Sequence, residues 1–382
     1  MICLTHMFIE VYLLIQVALI PVMVKEFQLS LLEASLVATI PSLASLLMNL
    51  PSGFLADRFS TSHLLSASML IEGVAAFLVS QTQDFHTLVI GVSLMRISSP
   101  IYHISGLSQL SRLAEPEQMS RSVGFHNALG NIGTAGGLVT LTVFLSTLGW
   151  RWTYLFWALP IIVWGFVVLR SPALKIARPE KPRYRRTGLG RYGLILTSSL
   201  VLFLIVISIR EVGATGASTF MTTFFVNGRG LSDSAASLIY SLGPFVGILG
   251  SLGGGYLGER LGAQKALGWT VLGCAFSLLA VSVVTHAYLL ALMFSFYSIF
   301  NNAVWSPMNT TVANLTPSSE RGLSYSIYFF TEGLVASVTP TLAAGFIELT
   351  DIWYIFPISV AFLFGSLIAL QFLPRRIVEN NL

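Results

Sequence analysis

Ionisable side chains inside long apolar runs are the residues of this sequence with the clearest capacity for chemistry. A charged group at the depth of a bilayer core is costly, so it marks an internal ion pair, a solute pathway or a proton path. Six such residues interrupt apolar runs, namely Glu10, Glu72, Arg96, Arg210, Glu211 and Glu332. Carboxylate and guanidinium groups in these positions can pair with one another, exchange a proton or hold an anion.

Arg96, Ser99 and His103 follow i, i+3, i+7 spacing and therefore share one face of a helix. Glu10 lies in the first apolar run at a comparable depth, which makes a Glu10–Arg96 ion pair geometrically possible. Such a pair could load and release a proton, and a static pair that fixes helix packing is the alternative. His6, one turn before Glu10, is interpreted as an interfacial residue.

A second polar set lies in the later half of the chain. Arg210 and Glu211 are consecutive, so on a helix they point about 100° apart and do not both face one cavity squarely. Gly213 and Gly216 follow. The sequence therefore predicts that this helix bends or breaks at the glycines, which would free backbone groups to meet a ligand.

Two further clusters combine polar and aromatic groups. Asn301, Asn302 and Trp305 offer amide groups and an aromatic plane, either to a substrate or to hydrogen bonds between helices. Tyr328 and Glu332 are one turn apart, on a helix face polar enough to border a cavity or a lateral proton path.

The elements that must position these residues are membrane helices. Hydrophobic residues make up 54% of the chain of 382 residues, charged residues only 10%, and the mean hydropathy is +0.77. Soluble domains carry about 25% charged residues, so most of this surface must face lipid. The sequence predicts an all-α integral membrane protein with short loops and no sizeable soluble domain.

Several classes of function lack their chemistry in this sequence. It contains no GxxxxGK[ST] phosphate loop, no HExxH and no GxSxG, which argues against ATP-driven pumping and hydrolysis. Cys3 and Cys274 both lie in apolar runs, which argues against a disulfide framework or a cysteine metal site. The first apolar run has no basic start, so no cleavable signal peptide is expected. We expect no enzyme activity, no cofactor and no metal.

Apolar runs bounded by Gly, Pro and charged residues predict twelve membrane-spanning helices, called span 1 to span 12 below. They lie near 4–24, 32–54, 64–82, 86–111, 121–147, 152–170, 193–226, 233–256, 265–285, 287–314, 322–347 and 353–373. The predicted domains are a six-helix bundle at 1–170, a basic cytoplasmic linker at 171–192, and a second six-helix bundle with a short cytoplasmic tail at 193–382.

Lysine and arginine are distributed unevenly between the two sides of the predicted membrane. If both termini are cytoplasmic, the inner loops and tail hold sixteen of them, against Lys25, Arg151 and Arg229 outside. The positive-inside rule then predicts cytoplasmic termini. We expect the membrane to be a prokaryotic inner membrane. The net charge of +4 is thus a topology signal, with some attraction to anionic lipid, and no nucleic-acid partner is expected.

The two halves of the chain resemble each other. A shift of 202 residues aligns 29–58 with 231–260 without a gap. The matched positions include Gly53 with Gly255, Asp57 with Glu259, and Arg58 with Arg260. This symmetry indicates a duplicated six-helix unit with a binding site between the copies. The glycines would allow adjacent helices to approach closely, and the charged residues could pair with neighbouring helix ends.

The segment Gly-Phe-Leu-Ala-Asp-Arg, from Gly53 to Arg58, resembles the loop between helices 2 and 3 of the major facilitator superfamily. The segment from Gly255 to Arg260 repeats it, and Gly-Trp-Arg-Trp at 149–152 is also similar to that superfamily. The resemblance covers essentially the whole chain. It implies two pseudo-symmetric six-helix bundles, with spans 1, 4, 7 and 10 lining a central cavity and the repeated loop acting as a cytoplasmic gate. It also places Arg96 at a position associated with proton coupling.

A narrower resemblance points to the fosmidomycin-resistance branch of efflux proteins. It rests on Leu-Met-Arg at 94–96, on Pro-Ile-Tyr-His at 100–103 and on the Gly- and Asn-containing segment 124–131. Span 5 also contains four glycines, Gly130, Gly133, Gly136 and Gly137, which we interpret as a surface for close helix packing.

These resemblances and the buried charges predict secondary active transport of a small solute by alternating access, coupled to protons. Efflux or antiport is favoured. An uptake symporter or facilitator for a small organic anion is one alternative, and a non-transporting membrane receptor is another. The proton-coupling candidates are Glu10, Arg96, Glu211 and Glu332. The substrate-binding candidates are Arg96, His103, Arg210, Asn301, Asn302, Trp305 and Tyr328. A monomer in the lipid bilayer is expected.

Overall fold

The computed structural model describes residues 1–29, 31–171 and 195–374. Apart from Ser171, the predicted basic linker 171–192 lies outside the described residues, as do Arg375 and Arg376 of the predicted tail. Within the described ranges the chain forms helices joined by turns, and it contains no strand.

The helices follow the predicted spans closely. Spans 2 to 6 are Leu31–Arg58, Thr61–Ser80, Phe85–Leu113, Met119–Thr147 and Arg151–Arg170. Spans 7, 8, 9, 11 and 12 are Ser198–Thr219, Asp233–Leu261, Ala263–Val283, Arg321–Leu349 and Ile355–Gln371. By length and composition, eleven helical segments of the described chain can cross a membrane. The predicted all-α membrane architecture is confirmed.

Spans 1 and 10 are each broken into two helices. Span 1 consists of Ile2–Ile9 and Ile15–Glu26, so neither piece alone has the length of a full membrane crossing. Span 10 consists of Ala287–Ala303 and Trp305–Leu315. Pro307 explains the second break, because it has no amide hydrogen to donate to the carbonyl four residues earlier and its ring crowds that carbonyl.

The bend predicted at the glycines of span 7 is not found. The helix runs unbroken past Gly213 and Gly216 and ends at Thr219, ahead of a short helical turn and a π-turn at Phe224–Gly228. A Cβ at Gly213 would lie 2.6 Å from the carbonyl oxygen of Ser359 on span 12. The glycine therefore permits close packing of two helices instead of a break.

The described residues fall into two compact units. The first contains Met1–Leu113, the residues from Leu129 through span 6, and Ser318–Phe330. The second contains Ala114–Ala128, spans 7 to 10, and the residues from Thr331 onward. Spans 5 and 11 thus contribute residues to both units.

A polar network holds the start of span 6 in the first unit. Gly149 precedes it with a φ of +93°, a backbone conformation that favours glycine. The Trp150 indole N–H donates to a carboxylate oxygen of Glu26 at 2.6 Å. Arg151 pairs with the same carboxylate and also donates to the carbonyl of Thr82 at 2.6 Å. These bonds connect span 6 to the ends of spans 1 and 3.

Large apolar side chains remain on the outside of the helices. Leu47, Leu159 and Leu249 expose 68%, 67% and 63% of their surface. Contact with water would make such exposure costly, whereas contact with lipid tails does not. Helical structure pairs most backbone polar groups within each segment, as a hydrocarbon environment requires.

Candidate functional site

The break in span 1 is the feature around which polar side chains of the first unit gather. Its first helix ends at Ile9 with Glu10 as the C-cap, and turns occupy the residues from Glu10 to Leu14. The Thr134 hydroxyl on span 5 donates to the Glu10 carbonyl at 3.3 Å, and an Arg96 guanidinium nitrogen on span 4 donates to the Leu13 carbonyl at 3.5 Å. Side chains of neighbouring spans therefore meet carbonyls near the break.

Glycines bring span 5 into backbone contact with span 1. A Cβ at Gly133 or Gly137 would overlap a backbone carbonyl of span 1, and a Cβ at Gly130 would collide with the imidazole ring of His6. Helices approach this closely only where small residues line the interface. The predicted packing role is confirmed for Gly130, Gly133 and Gly137, whereas Gly136 makes no close contact with a neighbouring helix.

Glu10, His6 and His103 form a cluster beside the break, called the Glu10 cluster below. Glu10 Oε1 lies 2.9 Å from His103 Nε2 and 3.5 Å from His6 Nε2. The Glu10 side chain is 12% exposed and the His103 side chain 22%. His6 and Glu10 are one turn apart on the same helix, so their side chains share the face that meets span 4.

Aromatic rings enclose the Glu10 cluster. The His6 ring stacks on Tyr102, with centroids 5.5 Å apart, and meets the His103 ring edge-on at 5.1 Å. The Tyr102 hydroxyl donates to the carbonyl of Ile2 at 2.7 Å, which fixes that ring against span 1. Phe329 lies 5.9 Å from His103, between ring centroids. The apolar rings limit access of water to the cluster.

The observed partners of Glu10 and Arg96 differ from the predicted ones. Glu10 pairs with His103 and His6, and Arg96 instead donates to the backbone of the break, so the prediction of a Glu10–Arg96 pair was wrong. The interpretation of His6 as an interfacial residue was also wrong, since it is 6% exposed. The prediction rested on the similar depth of Glu10 and Arg96 in the membrane. The observed partner, His103, follows Arg96 by seven residues, which is two helical turns.

Arg96 borders a small cavity beside the Glu10 cluster. The cavity has a volume of about 30 Å³, and its polar lining includes Glu10, Gln16, Glu72, Arg96, Ser99 and Tyr154. That volume is enough for a single water molecule. The structure therefore brings a guanidinium group and two carboxylates to the wall of one cavity.

Glu72 is a functional candidate that sequence reasoning did not select. It is 3% exposed on span 3 and accepts a hydrogen bond from the Ser98 hydroxyl of span 4. The signal was present, since Glu72 interrupts an apolar run, but span 3 is not among the spans that the family resemblance assigns to the cavity. Its contact with span 4 brings it to the same cavity wall as Arg96.

Arg210 and Glu211 form the polar centre of the second unit. Arg210 is 3% exposed, and its Nη1 lies 2.7 Å from Glu211 Oε2. Arg210 also donates to the side-chain oxygen of Asn301 on span 10, and the Thr215 hydroxyl donates to Glu211 at 2.5 Å. Consecutive residues of a helix point about 100° apart, but the side chains of Arg210 and Glu211 are long enough for their charged ends to meet. Asn301 thereby connects spans 7 and 10.

The other predicted residues are not brought into one group. Asn302 donates to the carbonyl of Ser298 in its own helix at 2.9 Å. Glu332 is 7% exposed and interacts electrostatically with Arg210. Tyr328 is fully buried in the first unit, and Trp305 is partly exposed in the second. Substrate binding by these residues stays a prediction.

Asp57 of the repeated loop motif caps the start of span 11. Its two carboxylate oxygens accept hydrogen bonds from the backbone N–H groups of Gly322, at 3.0 Å, and of Leu323, at 3.2 Å. Arg112 donates to the same carboxylate at 3.3 Å. The unpaired amides and dipole of a helix N-terminus favour a negative charge there. The expected pairing with a neighbouring helix end is found, whereas the adjacent Arg58 is exposed.

The second copy of the motif makes a weaker contact. A Cβ at Gly53 would lie 3.0 Å from the backbone of span 11, and a Cβ at Gly255 would lie 2.9 Å from the backbone of span 5. Both glycines therefore permit the predicted close approach. The contact of Glu259 is longer: its Oε2 atom lies 3.8 Å from Nε of Arg121, whose side chain is 71% exposed. Arg260 lies over a tyrosine ring of its own helix, 4.9 Å from the ring centroid.

These features describe a polytopic membrane protein in which a buried Glu–His cluster and a buried Arg–Glu ion pair accompany broken membrane-spanning helices. The chain belongs to the Major Facilitator Superfamily, whose family model matches residues 2–340 and 230–380. The predicted resemblance to this superfamily, and with it the fold of two six-helix bundles, is confirmed.

Two named relatives and one solved structure are similar to this chain. The chain is 26% identical to the probable nitrate/nitrite antiporter NarK1 of Thermus thermophilus over 259 residues, which cover 64% of this chain and 57% of that protein. It is 22% identical to the fosmidomycin resistance protein of Escherichia coli (strain K12), over 72% of this chain and 68% of that protein. The human organic anion transporter MFSD10 (TETRAN) has the same fold, with a TM-score of 0.82 at 13% identity over 97% of this chain and 98% of that one.

Proposed function

We propose that this chain exports a small anion by alternating access, in exchange for protons, and that Glu10 carries the coupling proton. The observation that carries the proposal is the buried Glu10–His103 pair beside the break in span 1. A broken membrane helix that presents polar groups at the break is the arrangement on which many secondary transporters build their ion sites.

The proton step follows from the chemistry of the pair. The attraction between a carboxylate and an imidazole is strongest while the carboxylate is ionised and the imidazole is protonated, because a hydrogen bond is then reinforced by opposite charges. Adding a proton to Glu10 removes its negative charge and therefore weakens the attraction across 2.9 Å to His103 on span 4. Because Glu10 lies at the end of the first helix of span 1, protonation loosens the contact between spans 1 and 4 at the break. The proton load is thereby coupled to movement of a helix.

Arg96 is the proposed anion ligand. Its contact with the Leu13 carbonyl is at the outer limit of hydrogen-bond length, 3.5 Å, so an anion can replace it at little cost. Arg210, in contrast, already holds Glu211 and Asn301, and an anion would have to displace a carboxylate. The names of the relatives support this substrate class, since nitrate and nitrite are anions, and the words antiporter and resistance support export.

The contact between Asp57 and the start of span 11 is proposed as a gate on the cytoplasmic side. Both chain termini are proposed to lie on that side, as the distribution of lysine and arginine indicates. The cap consists of two hydrogen bonds and one ion pair, which can break together when span 11 moves away from span 2.

Thermal unfolding of the purified protein with candidate anions tests the proposed substrate class. Nitrate, nitrite and fosmidomycin would be compared with a neutral sugar and a lipophilic cation, at pH 6 and at pH 8. A ligand at 100 times its dissociation constant stabilises by about 2.7 kcal/mol, which gives a clear shift of the unfolding temperature. We expect a shift with at least one anion, and a smaller one in Arg96→Gln. A shift with the lipophilic cation alone would contradict an anion substrate.

A further inference from the structure

The Glu10 cluster brings three metal-ligating atoms together from two helices. His6 and Glu10 come from the first helix of span 1, and His103 comes from span 4. One donor atom from each residue lies within 4.8 Å of the other two. Sequence patterns did not reveal this set, because no cysteine takes part and the third ligand is more than ninety residues away along the chain.

The donor set and its spacing suit a divalent transition-metal ion. Two imidazoles and one carboxylate are typical ligands of zinc and of the neighbouring first-row ions. With bonds of about 2.0–2.1 Å, two ligands of a tetrahedral ion lie about 3.4 Å apart, and two adjacent ligands of an octahedral ion about 2.9 Å apart. The separations from Glu10 Oε1 are 3.5 Å to His6 and 2.9 Å to His103, which fall close to these values.

The surroundings hold the ligands in place without filling the site. Tyr102 stacks on the His6 ring, and the absence of a side chain at Gly130 leaves the space that this ring occupies. His103 retains 22% exposure of its side chain, and Glu10 borders the small cavity, so the cluster has an approach for an ion. Glu72 and Arg96 lie on the wall of the same cavity.

We infer that His6, Glu10 and His103 form a binding site for a divalent transition-metal ion of the zinc and cobalt class. A bound ion connects span 1 to span 4, because the ligands belong to both. The inference does not depend on which solute the protein carries or on the direction of transport. Binding of the ion is measured without any flux, so its failure and the failure of the proposed anion transport are separate results.

Cobalt(II) and zinc(II) are the probes for this site, added to the purified protein in detergent. We expect one equivalent of zinc by equilibrium dialysis, and visible cobalt absorption bands that indicate nitrogen ligands in a low-coordinate site. Glu10→Gln and His103→Gln should each weaken zinc binding by about 100-fold or more, since each removes a ligand. His86→Gln is the matched control, because His86 is an exposed histidine in the first turn of span 4. This variant should bind zinc as the original protein does.

Two results would overturn the inference. One is zinc binding that persists at the original affinity in both Glu10→Gln and His103→Gln, which would place the ion on surface histidines. The other is a wild-type cobalt spectrum identical to that of the free ion, and this measurement does not depend on whether any variant folds. Gel filtration and metal-free thermal unfolding establish that each variant is folded before its affinity is compared.

Discussion

At the residue scale, the two copies of the loop motif hold the same kind of carboxylate in very different surroundings. Asp57 is 2% exposed and accepts hydrogen bonds from two backbone amides in addition to Arg112. Glu259 lies on a more open surface, opposite an arginine whose side chain is 71% exposed. Exposed ion pairs contribute little to stability, whereas a buried charge that loses its partner is costly.

Asp57→Ala is therefore expected to destabilise the protein by about 3 kcal/mol, because it leaves Arg112 and the start of span 11 without their carboxylate. Glu259→Ala is the matched control and should cost less than about 1 kcal/mol. Thermal unfolding in detergent measures both. Equal losses in the two variants would show that the cap on span 11 adds no stability.

The same scale shows where sequence reasoning succeeded and where it failed. It identified Glu10 and Arg210 as buried, because a charged side chain inside an apolar run is too costly to leave facing lipid. It assigned Glu10 the wrong partner, since residue depth along a straight helix ignores the break at Glu10 itself. The environment of His6 was predicted wrongly, because an imidazole side chain occurs both at membrane interfaces and in buried polar clusters.

At the element scale, the glycines of span 5 set the distance to span 1. Gly133→Ala is expected to destabilise the protein by about 1–3 kcal/mol, because the new methyl group overlaps a backbone carbonyl of span 1 and forces the helices apart. Gly136→Ala is the control on the same helix, since its Cβ would meet only Trp157, at an ordinary 3.9 Å. That change should be neutral or stabilising by up to about 1 kcal/mol. Similar losses in both variants would mean that helix packing at Gly133 is not tight.

The positions of the spans could be predicted, but their interruptions could not. Hydropathy is averaged over about twenty residues, so a break of a few residues in span 1 leaves the apolar run intact. The bend of span 7 was expected at its glycines, yet Gly213 has a packing partner on span 12 and the helix continues. A glycine in a membrane helix serves either bending or packing, and only the neighbouring helix decides between them.

At the scale of the whole molecule, the proposed orientation places Asp84 outside and Glu117 inside the cell. Both residues are exposed in loops of the described chain, the first between spans 3 and 4 and the second between spans 4 and 5. After replacement of Cys3 and Cys274, Asp84→Cys should react with a membrane-impermeant maleimide in intact cells. Glu117→Cys should react only after lysis. The reverse pattern would contradict the orientation drawn from the lysine and arginine distribution.

Proton coupling through Glu10 is tested most directly by anion accumulation in proteoliposomes with the membrane potential clamped. Nitrate and fosmidomycin would be supplied outside vesicles with an acidic interior, so that protons leaving the vesicle drive the anion inward. The original protein should accumulate at least one of the two anions only when the pH gradient is present. Glu10→Gln should lose this accumulation but keep exchange of the same anion across the membrane. Accumulation by Glu10→Gln equal to that of the original protein, or transport by the original protein that ignores the gradient, would contradict a coupling role for Glu10.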